Sequence, residues 1–371
     1  MIYLLYAAAV AAYLFAAGTA IPAEYVGTAA DPAIFMNERQ LKLSEEYSRI
    51  RHLLYFLTIP VEWGIFLLLL FSGWSARLRD FVQQCSRFSF VQAAIFSGLL
   101  LFIAALALFP LRLIGYRLSV LYGITVQTVP HWLRDMAVSF AVNWLTAAFS
   151  IWVVWLLIRR VRRWWFVVWL CSVPFIIFTA YIQPVVIDPL YNDFYPLQNK
   201  ELEEKILDLA RAAGIPAERV YEVNMSEKTN ALNAYVAGIG SNQRIVLWDT
   251  TLERLEEEQI LFIMAHEIGH YVMHHLYLSV AGSIASAFIG LYAAGVLFKK
   301  AVRRWGKSWR IAGTGDLAAL TALLLIFSLL TFAATPAANA ISRASERAAD
   351  RYALALTENA AAGISAFQTL T

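Results

Sequence analysis

Hydrophobic residues fall in seven long runs separated by polar stretches, at about 2–17, 53–72, 91–109, 137–158, 164–182, 276–298 and 317–335. Each run is near the roughly 20 residues that a helix needs to cross the hydrocarbon of a bilayer. The pattern predicts a mostly α, polytopic membrane protein with seven transmembrane helices. The first run, "MIYLLYAAAVAAYLF", lacks the basic n-region of a signal peptide and reads as a retained helix. Between the fifth and sixth runs the periodicity changes. "NKELEEKILDLARAAGIP" carries apolar residues at 202, 206, 209 and 213, with Gly214 and Pro216 past its end, the pattern of an amphipathic helix with stop signals. "RVYEV" predicts a short strand, and "ALNAYVAG" and "RIVLWD", joined by "IGSNQ", predict a hairpin. "DTTLERLEEEQILFIMAHEIGHYVMHHL" opens with Thr250 and Glu253 at capping-box spacing and reads as one helix running into the sixth span. The expected division is thus 1–182 for spans one to five, 183–275 for a small α+β domain, 276–335 for spans six and seven, and 336–371 for a C-terminal helical region.

Composition agrees with a bilayer location. Of 371 residues 60% are hydrophobic and 15% charged, and the mean hydropathy is +0.57, outside the range of soluble domains. The net charge is only +3, and basic residues sit in short clusters between spans, such as "RRVRR" at 159–163. That is headgroup charge and gives no case for nucleic acid. Cys85 and Cys171 are far apart in sequence, so no disulfide framework or thiolate metal cluster follows.

The chemistry is concentrated in "ILFIMAHEIGHYVMHH" (260–275). Residues four apart share a helix face, so His266 and His270 can offer two imidazole nitrogens to one ion, with Glu267 at its edge. Zinc lowers the pKa of a bound water toward about 7, and a neighbouring carboxylate can take its proton as the water attacks a carbonyl. A catalytic zinc usually has three protein ligands. His274 would extend the column by one turn, but three ligands in line along one helix do not close around a tetrahedral ion. His52 and His131 flank spans and read as interfacial. The better candidate follows span seven in "NAISRASERAADRYALAL", where Arg343, Glu346 and Asp350 recur on one helical face. A transmembrane hairpin between the two motifs would return the second to the membrane face that the first one left.

"HEIGH", "SRASERAAD", the "NAYVAG…IVLWD" hairpin and seven spans together resemble the Ste24-type CAAX prenyl proteases, integral membrane zinc metallopeptidases of the M48 class. The likeness is specific over about 183–360. It implies one Zn2+ per chain held by His266, His270 and Glu346, with Glu267 as general base and Asp350 as a partner behind the ligands. Arg343 would balance the carboxylates or hold a substrate carbonyl. It also implies a barrel of helices around an aqueous chamber, and Glu62 and Asn143, polar residues inside predicted spans, fit an interior-facing position. The expected partners are a peptide or protein substrate, prenylated or otherwise membrane-associated, and the lipid bilayer. An exposed strand edge at Asn233, Ala234 and Tyr235 would pair with an extended peptide.

Two alternatives stay open: a quality-control protease like the HtpX-type enzymes, and a non-catalytic metal-binding scaffold or transporter. Ste24-type proteins generally continue beyond a position such as Thr371 to a downstream histidine. The resemblance therefore predicts either a longer natural chain or a site in which Arg343 or Asn233 substitutes for that donor. A cell membrane or endomembrane is expected. With seven spans, the side carrying 183–275 has seven Lys/Arg in its short loops (39, 42, 49, 51, 112, 117, 134), against thirteen on the other side. Positive-inside statistics then put the zinc face outside the cytoplasm.

Overall fold

The computed structural model describes residues 2–16, 21–215, 219–237 and 244–370. Pro216 and the "IGSNQ" turn of the expected hairpin lie outside the described residues. The chain opens with seven helices: α1 (Ile2–Ala16), α2 (Pro32–Phe35), α3 (Glu38–Phe71), α4 (Trp74–Cys85), α5 (Ser89–Leu121), α6 (Val129–Arg160) and α7 (Trp164–Ile182). A surface domain follows, made of β1 (Phe194–Pro196), α8 (Lys200–Ala212), β2 (Val220–Val223), β3 (Ala234–Ala237), β4 (Arg244–Trp248), α9 (Asp249–Arg254) and α10 (Glu257–Val272). Then come α11 (His275–Trp305), α12 (Leu320–Thr357) and α13 (Ala360–Leu370).

Five helices, α3, α5, α6, α11 and α12, are long and apolar enough to cross a membrane. Two more of the predicted spans, α1 with 15 residues and α7 with 19, are apolar but shorter. The long helices exceed what the bilayer requires. At 1.5 Å per residue, the 34 residues of α3 or the 33 of α5 reach about 50 Å, against roughly 30 Å of hydrocarbon. Much of 21–52 and 110–136, which lie between predicted spans, is therefore helix. An Asn37–Gln40 capping box starts α3 well before its apolar run, and only residues 122–128 separate α5 from α6.

Packing along these helices is polarised. Leu70, Phe96, Trp155, Phe298, Leu317 and Leu320 belong to a closed core at the end remote from the surface domain. There the Ser75 hydroxyl and the Thr321 hydroxyl lie 2.7 Å apart, and Arg79 is ion-paired with Asp316. Toward the surface domain the helices splay around a cavity of about 1080 Å3. Glu62 and Asn143 line it beside Ser139, Ser328 and Thr335, the interior position expected for both polar residues. The Ser328 hydroxyl points to Glu62 Oε1 at 3.4 Å, and Asn143 donates to the Ser139 carbonyl. An adjoining cavity of about 630 Å3 shares Tyr55 and Thr335 and continues to Asn339.

The surface domain carries a four-stranded sheet in the order β1-β2-β4-β3. The β1–β2 and β3–β4 pairs are antiparallel and β2–β4 is parallel. The predicted strand and hairpin are both present, and β1 adds a strand that three residues could not announce. Asn199 caps α8, and Gly214 ends it at φ +74°, in the left-handed region that favours glycine. Leu202 and Ile206 of α8, Ile245 and Leu247 of β4, and Ile260, Met264 and Ile268 of α10 form the domain core. The domain is clamped to the membrane helices through the 122–128 connection. The Lys228 carbonyl accepts from the amides of Val126 and Gln127, and Lys228 Nζ reaches Asp135 Oδ2 of α6 at 2.8 Å.

The single helix expected from 249 into span six is in fact three. The capping box is formed by Glu256 and Gln259, not by Thr250 and Glu253, so a new helix starts at Glu257. The second break is at His274, which adopts φ 56°, ψ 30°. Neither break involves glycine or proline.

Candidate metal centre

The site sits where α10 crosses α12. Small residues let the two backbones approach: a Cβ added at Gly269 would lie 3.3 Å from the Ala349 Cα and 3.1 Å from the Tyr352 ring. Ala265, Ala349 and Ala353 are fully buried. The apolar face of α10 enters the sheet core, which leaves His266, Glu267 and His270 half-buried on the face turned to α12. Glu346 of α12 meets them there. Its Oε2 is 3.4 Å from the Nε2 of both histidines, and the two Nε2 atoms are 3.1 Å apart.

These separations fit a metal site. A tetrahedron with bonds of about 2.0–2.1 Å has edges of roughly 3.3–3.4 Å, close to the three donor separations observed. His266, His270 and Glu346 place one donor atom each within 4.8 Å of one another, and the two-nitrogen, one-carboxylate set suits zinc. Asp350 Oδ1 lies 2.9 Å from His266 Nδ1, on the side away from the donors, where a carboxylate fixes the ring. Burial, and then the facing His266, hold His270 below its ordinary pKa, so its imidazole is neutral and can donate a lone pair.

Glu267 makes no hydrogen bond among the described residues. Burial, reinforced by Glu346, pushes its carboxyl from 4.5 up to about 7. In metal-free protein the folded state therefore keeps this proton where the unfolded chain has lost it. The stability it contributes is complete below about pH 4.5, erodes as pH rises, and is lost by about pH 7. Thermal melts of chelator-treated protein should show wild type losing roughly 3 kcal/mol relative to Glu267→Gln between pH 5 and pH 8. Parallel curves for the two proteins would contradict the raised pKa.

The remaining expected residues are placed less directly. Arg343 is exposed two turns before Asp350 and forms no ion pair among the described residues. β3 is an edge strand packed near α10. Ala234 is buried in the core, while the Asn233 side chain is exposed and its Oδ1 accepts from the Ala234 amide. Tyr235, on the same strand face as Asn233, is half-buried, and its hydroxyl is raised to about 12 by burial and then by Asp188. Among the described residues no hydrogen bond or ion pair joins these three to His266, His270 or Glu346. His274 lies outside the ligand group, its ring edge-on to Tyr277. A residue that sequence reasoning left without a role, His275, places Nδ1 at 3.0 Å from His270 Nδ1. The doubled histidine was the visible signal, and the backbone break that aims it was not.

The face of α12 that ends at Glu346 begins in the membrane cavity. Ser328, Thr331, Thr335 and Asn339 line the two cavities at helical spacing, and continuing that spacing through Arg343 leads to Glu346. Pro336 lies within the same uninterrupted helix.

Comparison with known proteins agrees with this architecture. Residues 196–371 match the model of peptidase family M48, and residues 26–193 match the CAAX prenyl protease N-terminal region of five membrane helices. A Bacillus subtilis protein described as "Uncharacterized metalloprotease YhfN" is 48% identical over 99% of this chain and 87% of its own length. CAAX prenyl protease 1 of Saccharomyces cerevisiae is 31% identical over 50% of this chain, which covers 42% of the yeast protein. The crystal structure of S. mikatae Ste24p shares the fold with a TM-score of 0.80 at 21% identity, covering 99% of this chain and 90% of that one. The chain thus belongs to peptidase family M48, as a membrane metalloprotease of the Ste24 type.

Proposed function

We propose that the chain is a zinc-dependent endopeptidase acting on membrane-associated peptides, with His266, His270 and Glu346 as ligands and Glu267 as general base. The observation that carries this is the convergence of three donors at tetrahedral spacing with a half-buried carboxylate beside them. Zinc held there would supply an acidified water and a Lewis acid for the scissile carbonyl. Glu267 takes the proton of the attacking water and returns it to the leaving amine. Asp350 holds His266 in the tautomer that leaves Nε2 free for the metal. An extended peptide adds to the β3 edge through its main chain, with Asn233 and Tyr235 flanking it and Ala234 keeping the strand seated. Arg343 is free to hold a substrate carbonyl or to balance Glu346 and Asp350.

The membrane cavities and the short helices α1 and α7 support the fuller reading of seven spans around an aqueous chamber, through which substrate reaches the metal from within the bilayer. The similarity to CAAX prenyl proteases supports a lipidated C-terminal segment as substrate. Mass spectrometry of a peptide library incubated with purified protein, with and without a prenylated cysteine near the C-terminus, tests this. Lipid-dependent, chelator-sensitive cleavage is expected. Equal cleavage of both sets would favour the broader quality-control substrate range, and zinc-loaded protein that cuts nothing would reject the protease reading.

The charge asymmetry of the chain supports an extracytoplasmic catalytic face. Arg77, Arg79, Arg87, Arg159, Arg160, Arg162, Arg163 and the basic run 299–310 crowd the opposite end. With Cys171 replaced by Ser, the exposed native Cys85 on that end should resist an impermeant thiol reagent on intact cells. In a background without either native cysteine, Glu204→Cys on α8 should react. The reverse pattern would place the site in the cytoplasm.

A further inference from the structure

The two ligand histidines are held differently. Both direct Nε2 at Glu346, so each has Nδ1 left over, and a ligand imidazole requires an acceptor for that second N–H to fix its tautomer and ring plane. His266 has the Asp350 carboxylate. His270 has His275, whose Nδ1 is 3.0 Å away, with the rings 4.9 Å apart and inclined at 72°.

A continuous helix could not make that contact. Residues five apart differ by about 140° around the axis, which would carry residue 275 off the ligand face. The helix instead stops at Val272, and His274 turns left-handed at φ 56° before α11 resumes at His275. A residue with a Cβ is strained in that conformation, and such outliers persist where neighbouring structure fixes them, often at functional sites. The break swings His275 back under His270 as the chain enters the membrane.

We propose that His275 is a positioning residue of the metal centre: its Nδ1 accepts the Nδ1–H of His270, and the left-handed turn at His274 brings it there. The proposal rests on the metal-site reading above. It makes the two ligands inequivalent, one steadied by a carboxylate and the other by an imidazole on the first residue of a transmembrane helix.

Zinc affinity, read by competition with a chromogenic chelator on purified full-length protein, tests this without relying on turnover. His275→Ala should bind zinc 10–100-fold more weakly. His275→Asn, whose side-chain oxygen can occupy the position of Nδ1, should recover most of the loss, and the absorption bands of the cobalt-substituted protein should shift in the Ala variant and return in the Asn variant. His274→Gly, which tolerates the left-handed turn, should keep wild-type affinity, whereas His274→Ile should lose affinity although both rings remain. Wild-type affinity in His275→Ala, or no recovery in His275→Asn when both are folded by circular dichroism, would overturn the assignment. His270→Ala serves as the reference: if it too leaves affinity unchanged, the metal site itself is misassigned, whereas loss in His270→Ala alone rejects only the role of His275.

Discussion

Glu267→Gln should lower peptide cleavage by roughly 10²–10⁴-fold while the protein still binds zinc at wild-type stoichiometry. The substitution keeps the shape of the side chain and removes only its ability to take a proton. Because Glu267 makes no hydrogen bond among the described residues, no structural bond is lost with its charge. Its surroundings already disfavour the charged form, since burial and Glu346 raise the carboxyl to about 7. The amide should therefore fit without strain, and metal-free protein should become more stable at neutral pH. Cleavage of a fluorogenic peptide, measured beside metal content by mass spectrometry, separates the two effects. A Gln variant that cleaves at the wild-type rate would remove Glu267 from the mechanism.

Glu346→Ala should abolish both metal retention and cleavage. Removing a group behind a ligand costs about 10–100-fold in metal affinity, and losing one of the three proposed ligands should exceed that. Glu346 is 3.4 Å from both imidazoles, and its loss leaves two nitrogens 3.1 Å apart with nothing to close the third corner. Asp350→Asn provides the graded comparison, with weakened but measurable binding, because His266 keeps a hydrogen-bonding partner. Retention of full zinc content in Glu346→Ala, after dialysis against a chelator that strips Asp350→Asn, would disprove the ligand assignment.

Much of the site was legible because metal chemistry constrains spacing. His266 and His270 must be four apart to share a face, and Glu346 with Asp350 had to be recognised one turn apart on a later helix. What made Glu346 credible was topology: α11 leaves the surface domain and α12 returns to it. The spans were also visible, but hydropathy reports the bilayer and not the helix. The charged stretch 38–52 continues α3 and the stretch 110–121, which carries Arg112 and Arg117, continues α5, and four prolines, at 60, 110, 174 and 336, lie inside helices that they do not end. The breaks before Glu257 and at His274 were invisible for the opposite reason. The first depends on Glu256 and Gln259 winning a capping contest with Thr250 and Glu253. The second places a left-handed residue where the usual glycine or asparagine signal is missing.

The position of the proposed third ligand on α12 also orders events during biosynthesis. A ribosome has completed both histidines 76 residues before it reaches Glu346, as the numbers 270 and 346 show, and the intervening chain must enter and recross the bilayer before that carboxylate can meet them. Until then the nascent protein holds two donors and a lone carboxyl, with no closed site. On the proposed ligand set, integration of the α11–α12 hairpin is the step that completes the donor group.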